Sequence, residues 1–163
     1  MSEQKTDDDL KSLAKGFARY AFDYIEAACM IDKTIGSREG HEIISPVPAY
    51  YLAMHGIELT LKAFLLFHGN TPKQFGHNVV EAFERAKSHG LFKTYEPRDG
   101  DEKALALLFE LNADQGLRYV KTGWKEFPLW SIVEPLAVRL HQAVAPFVGY
   151  DKTFAVHYGG DGR

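Results

Sequence analysis

The stretch HGIELTLKAFLLFHG, residues 55–69, decides the fold. Wound at 100° per residue, its apolar side chains cover almost the whole circumference of a helix. Ile57, Leu59, Leu61, Phe64, Leu66 and Phe67 fall on different sides of it. A helix that is apolar all round is a central helix, wrapped by others. Yet the same stretch carries His55, Glu58 and Lys62 within about 60° of one another, and Tyr51 lies on that line one turn earlier. Polar groups on a buried rod either open onto a cleft or are satisfied inside the protein.

The flanks bound this helix. Pro48 suits a first turn and Gly69 suits a C-terminal cap, so the helix runs from 48 to 69. Upstream, a long helix starts near Thr6 with Asp7, Asp8 and Asp9 in its first turn, where negative charge favours the helix dipole. Its apolar stripe repeats at three and four from Leu10 to Ala28, and it ends near Gly36. Downstream, NVVE (residues 78–81) predicts a third helix with Asn78 as cap and Glu81 reaching back, and Gly90 stops it. A fourth helix fits 101–112. A last one opens at SIVE, residues 131–134, with Pro135 in its first turn, and runs to Gly149. Strand signals are nearly absent. The prediction is an all-α, antiparallel up-and-down bundle of about five helices in one domain, 1–150. Residues 151–163, with an alternation at 154–158 and three glycines, read as a poorly ordered or partner-dependent tail.

Composition narrows the function. A net charge of −3 over 163 residues gives no ground for a nucleic-acid coat or a membrane-surface binder. Apolar runs such as 63–67 and 104–109 are far short of the roughly 20 residues that span a bilayer. A single cysteine, Cys29, forms no internal disulfide and reads as a small core residue. With a polar, acidic start that lacks a signal-peptide core, it predicts a cytoplasmic protein. No phosphate-cradling glycine loop, serine elbow or Cys–His pair is present, and no cofactor is expected.

Glu58 and Lys62 stand at i and i+4 in the favourable order for a helical ion pair. They are either a structural pair with His55 beside it or part of a cleft that His77 joins. A metal site on His55, Glu58 and His77 lacks the two-histidine spacing of helical zinc sites, so no metal is assigned. Arg118, Tyr119, Lys121, Trp124 and Lys125 gather within eight residues, as a contact for stacked bases and phosphates would. Residues 70–130 nevertheless hold nine basic and nine acidic side chains, so no wider positive field supports that contact.

HGIELTLKAFLLFHG, then FGHNVVEAFERAKSHGL, then LRYVKTG, resembles the HEPN family of small helical proteins. The resemblance rests on the E-x-x-x-K-A turn at 58–63, the G-H-N entry at 76–78 and the R-Y step at 118–119, and covers residues 48–128. It implies a four- or five-helix bundle that commonly dimerises. Many members are metal-independent RNases of toxin–antitoxin and phage-defence systems, and others bind nucleotides or act without catalysis. The RNase members share an Arg followed, after four to six residues, by His. That pair joins an acid–base group to a phosphate-holding cation. Here the spacing is missing. After Arg118 those positions are Gly123, Trp124 and Lys125, while Arg85 and His89 are separated by only three residues.

The resulting expectation is a noncatalytic HEPN-like homodimer that binds a nucleotide, RNA or protein partner through His55, Glu58, Lys62, His77, Arg118 and Tyr119. The alternatives are an RNase with a drifted pair, Arg85 with His89 or Arg118 with His77, and a purely structural protein whose polar line is internal glue.

Overall fold

Small residues set the distance between the first two helices. In the computed structural model, which describes residues 6–118, 120, 123 and 125–155 (of Pro72 and Asp114, the backbone), α1 spans Asp7–Thr34 and α2 spans Val47–Phe67. α1 buries Ala14, Ala18, Ala21 and Ala28, and α2 sets Ala49, Ala53 and Gly56 in the core. At Gly56 a Cβ would stand 2.4 Å from Ile25 Cγ1 and 3.2 Å from the Ala21 carbonyl. The two backbones are therefore close enough that α2 needs a residue without a side chain there, whatever glycine costs a helix interior.

Contacts fix the directions. Lys11 lies over the Phe67 ring, and Tyr24 meets His55 edge-on at 4.5 Å, so α1 and α2 are antiparallel. α5 (Trp130–Val144) places His141 Nε2 2.8 Å from the Ala18 carbonyl, Trp130 against Tyr50, and the following Phe147 against Phe64. α5 thus runs antiparallel to α1 but parallel to its neighbour α2, so strict alternation stops before the last helix. The long connection 113–129 makes this possible by returning the chain to the start of α2, where the Tyr50 hydroxyl donates to the Pro128 carbonyl at 3.0 Å. α3 (Val79–Ser88) packs on α2, and α4 (Asp101–Asn112) packs on α3, α2 and α5. Among the described residues there are five α-helices, short 3₁₀ turns and no strand. None of these helices is long and apolar enough to cross a membrane.

Helix ends follow local chemistry where it is strong. Thr6 and Asp9 form a reciprocal capping box. α2 closes with Gly69 at φ +84, its N–H reaching Leu66 O and that of Asn70 reaching Leu65 O, which satisfies two end carbonyls. Asn78 caps α3 by accepting from the Val80 and Glu81 amides, but Glu81 turns outward to Arg85 instead of reaching back. The last helix departs from expectation. It begins at Trp130 without a side-chain cap, so Ser131–Glu134 is its first turn and Pro135 lies inside the helix. The aromatic contacts of Tyr50 with Phe127 and Trp130 take over from capping as the start signal.

Two further groups hold the bundle together. Arg139 of α5 reaches Asp101 Oδ2 at 3.4 Å and also donates to the Glu96 carbonyl, while the Tyr95 hydroxyl donates to the same carboxylate. Both charged residues are buried, and each has its partners. Phe154, expected in a loose tail, is buried and stacked on Phe22 at 4.5 Å; residues 156–163 of that tail lie outside the described residues. Cys29 is half-buried beside Glu134, and burial first, then that carboxylate, pushes its thiol well above the ordinary range, which leaves it without thiolate reactivity.

Candidate functional site

The polar line of α2 reaches a cleft. Glu58 is only 4% exposed, yet it forms part of the wall of a hollow of about 530 Å³. That hollow also draws Tyr51 and His55 from α2, His77 from the turn before α3, and Phe109 and Asn112 from α4. Gln115 and Arg118, beyond the end of α4, complete it.

Three cations or potential cations surround the carboxylate. Lys62 Nζ donates to Glu58 Oε1 at 2.5 Å, and His77 Nδ1 lies 3.1 Å from the same oxygen. His55 Nδ1 is 3.9 Å from Oε2, an electrostatic rather than a hydrogen-bonding distance. Burial by itself pushes a carboxyl upward. His55, Lys62 and His77 together outweigh that and hold Glu58 at about 2, so it is ionised at neutral pH.

The two histidines are held differently. His55 lies between the rings of Tyr24 and Tyr51, edge-on to the first and parallel to the second. His77 precedes the Asn78 cap and keeps most of its ring in solvent. Lys62, aligned with Glu58 in the sequence, lies behind the carboxylate. It is 8% exposed and borders a separate small hollow beside Asn78 and Arg85 rather than the cleft.

The far wall is built under strain. After α4 the chain makes a 3₁₀ turn, Ala113–Gln115, and Gln115 takes the left-handed conformation at φ +62. A side chain there costs roughly 1–3 kcal/mol. A Cβ on the next residue, Gly116, would stand 2.3 Å from the Leu111 carbonyl, so the chain folds tightly back on the helix end. The Arg118 amide then bonds Gln115 O at 2.9 Å, which brings Arg118 to the cleft. Asn112 Oδ1 is buried here without a hydrogen-bond partner.

The predicted site residues therefore separate into two groups. His55, Glu58, His77 and Arg118 share one cleft, and Lys62 supports it from behind. Arg85 and His89 do not meet at a shared position. The Arg85 guanidinium donates to the Gln74 carbonyl and Glu81, whereas the His89 ring contacts the Arg85 carbonyl and Asn70. Tyr119, Lys121 and Trp124 lie outside the described residues. Asn112, Gln115 and Phe109 were missed by the sequence reading. A partial signal existed, since Phe109 and Asn112 are spaced i, i+3 on the α4 face, and Gln115-Gly116 marks a turn just ahead of Arg118. Among the described residues, no group of three His, Cys, Asp or Glu side chains is arranged to hold a metal. No protein-family model, curated protein or solved structure matches the chain.

Proposed function

We propose that the chain is a noncatalytic HEPN-like module that binds a nucleotide or RNA in this cleft. The observation that carries the reading is the convergence of His55, Glu58, His77 and Arg118 from separate elements onto one hollow that also presents the rings of Tyr51 and Phe109. Aromatic surface accepts a stacked base, and an arginine at the mouth attracts phosphate. The size of the hollow suits one nucleotide, and polar groups from separate elements converge on it. A protein segment is a less specific fit, because the charged and polar groups of His55, Glu58, His77 and Arg118 stand among the apolar surfaces of Tyr51, Met54 and Phe109. The reading keeps the protein in the cytoplasm and makes it a homodimer. Support for a dimer comes from the resemblance and from exposed Met30, Ile35, Ile43, Ile44, Val47 and Leu129. Light scattering at micromolar concentration would return twice 18.4 kDa, and a monomeric mass removes the dimer.

The test is binding of a fluorescently labelled oligoribonucleotide in EDTA, read by polarisation. Arg118→Ala weakens binding about tenfold or more while the circular dichroism spectrum stays that of the parent. Unchanged affinity excludes the cleft as the site.

One observation favours a second reading, that of a metal-independent RNase. Arg118 and His77 line the same cleft, so an acid–base group and a phosphate-holding cation are together despite the missing sequence spacing. Cleavage of total RNA in EDTA that is lost in both His77→Ala and Arg118→Ala would establish it.

A further inference from the structure

His77 keeps most of its ring in solvent, yet one of its nitrogens is committed. Nδ1 lies 3.1 Å from Glu58 Oε1, the oxygen that Lys62 also reaches at 2.5 Å. What that contact requires depends on the charge of the carboxyl group. A neutral carboxyl could donate its own proton to Nδ1 and leave the ring hydrogen on Nε2. An ionised one has lone pairs only, so Nδ1 must carry the hydrogen. Burial pushes Glu58 toward the neutral form, and His55, Lys62 and His77 outweigh it and hold the group at about 2. The carboxylate therefore accepts, and His77 donates through Nδ1.

The state of the other ring nitrogen follows. In a neutral imidazole with Nδ1 protonated, Nε2 carries the lone pair and is an acceptor. The two nitrogens point away from each other, so Nε2 is turned from Glu58. Among the described residues it has no hydrogen-bond partner. His77 and Arg118 line the same hollow. The cleft thus carries a guanidinium suited to phosphate and an imidazole lone pair that repels phosphate oxygen and takes a donor instead. A carboxylate that fixes the tautomer of a neighbouring imidazole is a general device for presenting Nε2 to a ligand.

Resting on the reading of the cleft as a nucleotide site, we infer that Glu58 is a positioning residue: backed by Lys62, it fixes His77 with Nδ1 protonated, so that Nε2 accepts a hydrogen bond from the nucleotide while Arg118 holds the phosphate. The donor is the ribose 2′-hydroxyl or a base N–H, which offer the same chemistry. This gives the buried Lys62 a task although it borders a different hollow, since it keeps the carboxylate ionised from behind. His55, 3.9 Å from Oε2, adds charge but no hydrogen bond.

The first measurement needs no ligand. Long-range ¹H–¹⁵N correlation at pH 8.5, where imidazoles are neutral, reads which His77 nitrogen carries the hydrogen. Nδ1 is expected in the parent. Glu58→Leu with Lys62→Met keeps the interior filled and strands no charge. In it the hydrogen should move largely to Nε2, the form that free histidine prefers. Hydrogen on Nε2 in the parent, or the same tautomer in both proteins, overturns the inference whether or not a nucleotide binds. The second measurement uses the labelled oligoribonucleotide in EDTA at the same pH. The double variant and His77→Ala should each weaken binding about three- to tenfold. The triple variant should bind no more weakly than His77→Ala alone, because Glu58 acts through His77. Additive losses overturn the positioning role. An oligodeoxyribonucleotide of the same sequence identifies the donor. No loss on His77→Ala marks the 2′-hydroxyl, and an equal loss marks a base N–H. If the oligoribonucleotide fails to bind the unmodified protein while His77 holds its hydrogen on Nδ1, the nucleotide reading falls with the ligand half of the inference, and the tautomer set by Glu58 stands.

Discussion

Replacing Glu58 with Gln removes the charge around which the cleft is organised, and the structure sets the size of the effect. A carboxyl held near 2 in the fold, against an ordinary value of 4.5, contributes about 3 kcal/mol of stability at neutral pH. Glu58→Gln forfeits that contribution and leaves Lys62, 8% exposed, without its anion. Breaking one side of a buried pair costs about 3–5 kcal/mol, which agrees in scale. The melting temperature should fall by roughly 6–12 °C for a chain of this length. The sign with pH follows from the lowered value. The contribution is complete above about pH 5 and is lost as pH falls through 2, because the unfolded carboxyl takes up a proton first. Urea unfolding of both proteins between pH 7 and pH 2 measures this. The difference between them should start near 3 kcal/mol and shrink toward zero at the acid end. Glu58→Gln combined with Lys62→Met should recover part of the loss, since no charge is then stranded. A loss under about 1 kcal/mol at pH 7, or a difference that does not change with pH, would refute the view that Glu58 is a buried anion held by Lys62 and its two histidine neighbours.

Other perturbations probe the scaffold. Gly56→Ala drives a methyl group into Ile25 and should cost about 1–3 kcal/mol by thermal melting, partly relieved by adding Ile25→Ala. Arg139→Met leaves Asp101 buried beside Tyr95 and should lower urea stability by about 3–5 kcal/mol. His141 is buried against the Ala18 carbonyl, and burial keeps its imidazole below the ordinary range, so it should stay neutral by NMR at a pH where exposed histidines are protonated. Since the unfolded chain protonates that ring first, His141 also withdraws stability as pH drops below about 6.5. Asn78→Ala removes the α3 cap at a cost of about 1 kcal/mol, and the His77 resonances should shift with it.

The helices were legible where a local rule and the tertiary structure agree. Pro48, Gly69 and Asn78 each act at a helix end through their own backbone or side chain, and each stands where its chemistry predicts. The start of α5 was misread because Ser131 and Glu134 have the spacing of a capping box, while the contacts that start the helix come from Tyr50, eighty residues earlier in the chain. The line of His55, Glu58 and Lys62 was visible from the helical repeat alone. Its division into a cleft side and a back side was not, since that depends on where α3 and α4 pack. Asn112 and Gln115 stayed hidden for the same reason. Polar residues at a helix end resemble any surface turn until the chain folds them against α2.

The most direct test of the cleft as the binding site is a ¹H–¹⁵N NMR titration with GMP. Amide shifts should concentrate at Tyr51, His55, Glu58, His77, Asn112 and Arg118, and the far face of α1 should stay unmoved. Shifts confined to another surface, or none at millimolar ligand, would contradict the assignment.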